Sequence, residues 1–205
     1  MGLYDRYVLP RMLDFVMQVK PIMRQRAKVV PLAHGRVLEV GIGSGLNLSF
    51  YDKSKMTALL GLDPSPELQA MAKKRASEAG IDVDWLQLSS ERIPLPDDSV
   101  DSIVITYTMC TIPDVGTALR EMRRVLRPRA QMYFVEHGLA PDASVRKWQD
   151  RLNPVWGKIA GGCNINRNVP KLLEDAGLHL DEVETMYLPG FRPLTFNYWG
   201  SASKA

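Results

Sequence analysis

The chain has 205 residues, room for one sizeable core, and its 45% apolar and 24% charged side chains exclude global disorder, so a single domain over 1–205 is expected. The net charge of +3 and an isoelectric point near 8.9 are mild, and the basic residues form no block, so nucleic acid is not an expected partner. Cys110 and Cys163 stand far apart and outside any C-x-x-C spacing, so neither a disulfide framework nor a metal cluster is expected. Apolar runs stay below the ~18 residues of a membrane span and the N-terminus lacks a signal-like core, which points to a soluble, cytoplasmic protein.

In residues 1–30, Leu9, Met12, Leu13, Val16, Val19 and Met23 recur close to helical spacing, while Pro10 and Pro21 divide the stretch into short helices. Arg6, Arg11, Lys20, Arg24, Arg26 and Lys28 fill much of the remainder. This reads as a helical arm packed on a core at 31–205, or as a lid or peripheral membrane contact.

From residue 36 short apolar runs alternate with amphipathic stretches. Strands are expected at Val37–Val40, Ala58–Leu62, Val83–Leu88, Ser102–Thr106, Met132–Glu136, Glu182–Tyr187 and Thr195–Ser201, with helices at 45–52, 66–79, 114–126 and 168–176. In the third of these helices Val115, Ala118, Leu119, Met122, Val125 and Leu126 line one face, and Pro128 follows its end. Such alternation implies an α/β fold with a mostly parallel, seven-stranded, Rossmann-like sheet, helices on both faces and ligands at the carboxyl ends of the strands. Only LPGFRP joins the last two strands, too short for a crossover helix, so they should form an antiparallel hairpin.

The stretch RVLEVGIGSGLN follows the first strand. A dinucleotide loop reads G-x-G-x-x-G, but here Leu46 holds the place of the third glycine, and no Lys-Ser/Thr follows to make an ATP-type phosphate loop. What remains is E-x-G-x-G-x-G: Glu39 would repel phosphates yet suits a cationic amino-acid moiety. Eighteen residues after Gly45, Asp63 ends the second strand, where a carboxylate can accept bonds from two ribose hydroxyls. A cationic tail, a ribose and a turn without phosphate chemistry together describe S-adenosyl-L-methionine.

These segments, LEVGIGSG, GLDPSPELQAMAKKRA, LSSERIPLPDDSVDSIVITYTMCTIPD and ALREMRRVLRPRAQMYFVEHG, resemble in order and spacing the class I S-adenosylmethionine-dependent methyltransferases related to the ubiquinone and menaquinone enzymes. LNPVWGKIAGGCNINRNVPKLLEDAGL is similar to the corresponding segment of alkyl-thiol methyltransferases, and bacterial phosphatidylethanolamine N-methyltransferases are also alike. The thiol enzymes carry a longer hydrophobic N-terminal anchor that is lacking in this sequence. The resemblance implies that Glu39 and the Gly41, Ile42, Gly43, Gly45 and Asn47 stretch contact the methionyl part of the cofactor. It implies further that Asp63 binds the ribose, that Pro64 shapes the turn against adenine, that Ser89, Ser90 and Glu91 stand where relatives bind the adenine amine, and that Thr106 lines the cofactor.

Methyl transfer needs alignment more than a nucleophilic side chain, but a thiol or ammonium acceptor must first lose a proton. His137, closing the fifth strand, is the expected catalytic base, with Glu136 either orienting it or facing the opposite side. Tyr4, Tyr7, Cys110, Asn164 and Arg167 are the expected acceptor-pocket residues, with helix capping near Asn168 the alternative for Asn164 and Arg167. The expected acceptor is small or lipid-like, a thiol first, then a phospholipid amine, then a quinone-type carbon. A nucleotide-dependent oxidoreductase and a non-catalytic cofactor-binding protein are the readings from other classes.

Overall fold

The computed structural model describes Tyr4 and residues 8–204. Two short helices come first, α1 (Leu9–Met17) and α2 (Lys20–Val29), each with its proline in the opening turn, where a missing amide costs nothing. The core then runs β1 (Gly35–Val40), β2 (Met56–Leu62), α3 (Pro66–Ala79), β3 (Asp84–Leu86), β4 (Val100–Thr106), α4 (Val115–Val125) and β5 (Leu126–His137). It continues through α5 (Ala143–Ile159), α6 (Val169–Asp175), β6 (Leu178–Tyr187), a helical turn α7 (Arg192–Thr195) and β7 (Phe196–Lys204).

The seven strands form one sheet in the order β3-β2-β1-β4-β5-β7-β6. The pairs from β3 to β5 are parallel, whereas β7 runs antiparallel to both β5 and β6, as the short LPGFRP connection requires. Strand order reverses between β1 and β4, and that switch point opens the crevice where ligands of such sheets bind. One apolar cluster, with Leu38, Leu60, Ile103, Phe134, Leu119 and Met122, fills one face of the sheet; a second, with Val37, Leu59, Val104 and Val135, fills the other.

Local chemistry accounts for the helix starts. Ser65 accepts from the Leu68 amide at 3.2 Å, Asp114 from Thr117 at 2.9 Å and Asn168 from Lys171 at 3.2 Å, so three of the core helices carry side-chain caps. The apolar stripe of α4, with Val115, Ala118, Leu119, Met122 and Val125, is buried as its spacing demands.

Three features differ from the sequence expectation. The helix at 45–52 does not form: Gly41, Gly43 and Gly45 all hold positive φ, and tight three-residue turns follow, with Phe50 donating to the Asn47 carbonyl at 2.8 Å. Helix α5 is additional, its spacing masked by the internal Pro154. Finally, β5 begins at Leu126, but pairing jumps from Val100↔Leu126 to Ser102↔Gln131 with Arg129 left-handed between, so its regular part starts near the expected Met132. Among the described residues no helix is long and apolar enough to cross a membrane.

Candidate functional site

A cavity of about 400 Å³ opens over the carboxyl ends of β2, β1, β4 and β5, within the range of small-molecule sites. Its floor at the β1 end is the glycine turn. The Gly41 and Ile42 amides donate to the Leu62 carbonyl at 2.8 and 3.1 Å, folding the turn across the end of β2. Asp63 receives the Gly43 amide at 2.9 Å on one carboxylate oxygen and the Ser65 amide at 2.8 Å on the other. It is 7% exposed and lines the cavity, and burial pushes its pKa up. Each oxygen keeps a free lone pair for a ligand hydroxyl.

Glu39 lies beneath the turn at 1% exposure and is not part of the cavity wall. Both its oxygens are taken, by Asn47 Nδ2 at 2.9 Å and the Tyr51 hydroxyl at 2.8 Å, and burial raises its pKa to about 7. Asn47 passes the network on, donating to Thr106 Oγ1 at 2.9 Å and accepting from Arg26 at 2.9 Å, while Arg26 also donates to Thr106 Oγ1.

Arg26 reaches the cavity from α2, 6% exposed, its guanidinium 5.2 Å from the Tyr107 ring centre and its Nε buried without a partner. In the sequence Arg26 stands only among the charges of the arm, and no motif marks it. The arm is tied down on the same side, since Asp14 of α1 makes a two-pronged pair with Arg75 of α3 at 2.7 and 3.0 Å. Arg75 also donates to the Ser44 carbonyl of the turn at 2.6 Å.

The β4–β5 end differs in chemistry. Tyr107 sits at φ 53°, left-handed for a bulky residue, with its hydroxyl on Asn197 at 2.6 Å. Glu136 faces away from His137 and is fully buried; one oxygen accepts the Thr108 and Met109 amides at 2.7 and 2.9 Å, the other has no partner, and burial raises its pKa to about 7. His137 projects to the cavity and stacks on Tyr107 at 6.4 Å between ring centres.

His137 Nε2 meets Cys163 Sγ at 3.2 Å, while Nδ1 is buried without a partner. Burial disfavours the imidazolium, but the Cys163 sulfur and Glu136 outweigh it and raise the His137 pKa. Cys163 is lowered by the hydrogen bond from the Cys110 thiol and by His137. The two cysteines thus meet at the cavity wall although nothing in their spacing suggests it.

Of the remaining expected site residues, Ile42, Gly41, Gly43, Thr106 and Cys110 line the cavity. Pro64, Ser89, Ser90 and Glu91 do not: Ser89 bonds Glu91, whose other oxygen accepts the Asp114 amide at 2.8 Å at the start of α4. Asn164 and Arg167 also lie outside it, donating to the backbone carbonyls of Cys110 and Met109, and the cap of α6 is Asn168. These bonds fasten the loops around the cavity to one another. Tyr4 donates to the Ile159 carbonyl at 2.9 Å, off the cavity wall, and Tyr7 lies outside the described residues.

Comparison with known proteins places the geometry in context. A family model described as a methyltransferase domain matches residues 38–134. Human thiol S-methyltransferase TMT1A is 32% identical over 158 residues, 75% of this chain and 64% of its own length. Phosphatidylethanolamine N-methyltransferase of Cereibacter sphaeroides is 33% identical over 56% of this chain and 56% of its own. Demethylmenaquinone methyltransferase of Thermus thermophilus is 28% identical over 83% and 80%. The chain spans 61 to 64% of the length of the thiol S-methyltransferases it matches.

Among solved structures, an S-adenosylmethionine-dependent methyltransferase from Methanosarcina mazei superposes with a TM-score of 0.66 at 20% identity, covering 82% of this chain and 92% of that one. The [4+2]-cyclase SpnF gives 0.71 at 18%, covering 89% and 79%, so the fold alone does not decide the reaction.

Proposed function

We propose that the chain is a class I S-adenosylmethionine-dependent methyltransferase and that it transfers a methyl group to the sulfur of a small or lipid-like thiol. The observation that carries the reading is that one cavity runs from Asp63 and the glycine turn to His137.

The residues fit the cofactor. Arg26 is the only arginine or lysine on the cavity wall among the described residues, and Asp14 and Asp63 add negative charge, a poor match for a pyrophosphate. The partnerless Arg26 Nε is a buried donor of the kind a ligand carboxylate satisfies. A Cβ built on Gly43 would meet nothing nearer than the Gly41 carbonyl oxygen at 3.8 Å, so the turn presents bare backbone to its ligand. When bound, S-adenosyl-L-methionine supplies a methyl on a sulfonium, which leaves as a neutral thioether while the acceptor's lone pair forms the new bond.

The chain's part is positioning and proton removal. Asp63 accepts the ribose hydroxyls, Arg26 holds the amino-acid carboxylate, and the Glu39–Asn47–Thr106 network keeps Arg26 in place. His137 takes the acceptor's proton, for which the imidazole must first be neutral. The names of the thiol S-methyltransferase relatives support sulfur as the acceptor.

Apolar exposure supports an amphiphilic acceptor. Phe15 is 77% exposed beside Val16 and Val19, which line the cavity and also face solvent, and Val155 and Ile159 on α5 are exposed as well. A screen with radiolabelled cofactor over alkyl thiols, phosphatidylethanolamine vesicles and quinols tests the reading. Label in thiols upholds it; label in the phospholipid amine alone replaces it with the second reading. Co-sedimentation with liposomes tests the surface contact, and a wholly soluble fraction removes it.

A further inference from the structure

The Cys110, His137 and Cys163 side chains come from three separate segments: the loop after β4, the end of β5 and the loop after α5. One donor atom from each lies within 4.8 Å of the others, and all three residues line the cavity. We propose that they bind a soft divalent cation, zinc, with the fourth coordination position open to the cavity, where a thiolate sulfur completes the tetrahedron.

Donor chemistry and spacing both suit the ion. Two sulfurs and an imidazole are a ligand set of open zinc sites, which keep one position for an exchangeable ligand. With bonds of about 2.0–2.3 Å, tetrahedral ligand atoms stand roughly 3.5 Å apart. The Cys163 Sγ to His137 Nε2 separation is 3.2 Å, so closure around an ion needs shifts on the order of an ångström at most.

The ligands are held by other bonds than their own. The Cys110 carbonyl accepts the Asn164 amide at 2.9 Å and Asn164 Nδ2 at 3.0 Å, fastening the loop of one cysteine to the loop of the other. Gln149 of α5 is fully buried and donates to the Ile165 and Gly138 carbonyls, both at 2.9 Å, linking the Cys163 loop to the residue after His137. Met109, before Cys110, is fixed by Glu136.

Charge argues the same way. Two thiolates and a neutral imidazole cancel the ion's charge, which suits walls of Ala160, Ile165, Leu152 and Leu194. The charged groups nearest the cluster, Glu136 and Arg167, oppose each other in sign. An acceptor thiol entering the fourth position binds as the thiolate, its proton passing to solvent water, so His137 then serves as a ligand in place of acting as the base.

The identity of that fourth ligand rests on the methyl-transfer reading; binding of the ion does not. The test is titration of phosphine-reduced, metal-free protein with Co²⁺, followed by zinc competition against a chromogenic chelator. One Co²⁺ per chain with the strong visible absorption of a tetrahedral thiolate centre is expected, and Cys163→Ser or Cys110→Ser should weaken zinc binding by at least about 100-fold. Melting curves and calorimetry with S-adenosylhomocysteine show that the variants remain folded. The weak spectrum of hydrated Co²⁺, or a tetrahedral spectrum unchanged in both serine variants, overturns the proposal. Thiol methylation by protein that binds no metal leaves the function standing and removes the site. A tetrahedral cobalt centre in protein that methylates no acceptor keeps the site and removes the function.

Discussion

The Arg26 guanidinium donates to the Asn47 side-chain oxygen at 2.9 Å, joining a helix of the arm to the turn that follows β1. Because Asn47 also binds Glu39 and Thr106, one arginine of the cavity wall completes a buried polar network and keeps a buried Nε without a partner. Arg26→Ala should therefore act twice. Leaving the Asn47 oxygen without its donor should cost about 2 kcal/mol of stability, read from denaturant unfolding. Calorimetry should show S-adenosylhomocysteine binding at least about tenfold weaker, with Arg26→Lys intermediate because it lacks the planar fork. Unchanged affinity in Arg26→Ala would refute the carboxylate role.

Asp63→Ala removes both acceptors proposed for the ribose and the anchor for the Gly43 amide. Loss of charged hydrogen bonds predicts about 2–3 kcal/mol of lost affinity, roughly 30- to 150-fold, for S-adenosylhomocysteine. Retention of near-native affinity would show that the ribose sits elsewhere.

Gly43→Ala separates the cradle from the fold. The new Cβ would touch only the Gly41 oxygen at 3.8 Å, so the folded protein should lose just the ~1–2 kcal/mol of a left-handed alanine. Gly41→Ala, whose Cβ would stand 2.3 Å from the Thr108 side chain, should be far less stable. The expected pattern is a soluble Gly43→Ala that binds cofactor poorly; full binding would deny that the turn touches it.

The His137 pKa is raised, so as the base it is neutral only above its ordinary value of 6.5. In metal-free protein the rate at saturating substrates should rise with pH through that region, and His137→Gln should lower the rate and flatten the rise. A pH profile that is the same in both proteins would assign the proton elsewhere.

Glu39 and Glu136 are both raised from 4.5 to about 7 by burial, and this sets a stability trend. The folded chain binds more protons than the unfolded one between these values, so their contribution is full below pH 4.5 and is lost as pH rises through about 7. Melting temperature should fall from pH 5 to pH 8, and Glu136→Gln should reduce the slope. A rise over the same interval would contradict the assignment.

The alternation of elements could be read because strands and helices bury one face each, and that burial leaves its period in the residues. The stripe of α4, the caps of α3 and α6 and the closing hairpin all follow from neighbours in the chain. Asp63 and the glycine turn were legible for the same reason: a strand, a turn and a helix stand in sequence there. The helix at 45–52 is refused by Gly45, whose positive φ no helix holds, and the side chain of Asn47 is bound instead by Arg26, Glu39 and Thr106, which local sequence does not show. Pro154 hid α5, whose buried Gln149 is explained only by the four backbone groups of other segments that it binds. Arg26 at the cavity, Glu39 beneath the turn, and Cys110 and Cys163 beside His137 exist only once distant segments are packed. The sequence by itself thus determined the sheet and the glycine turn, whose causes are local and periodic. Tertiary structure decided which charges are buried and which sulfurs meet, because those depend on contacts between segments that carry no mark of one another.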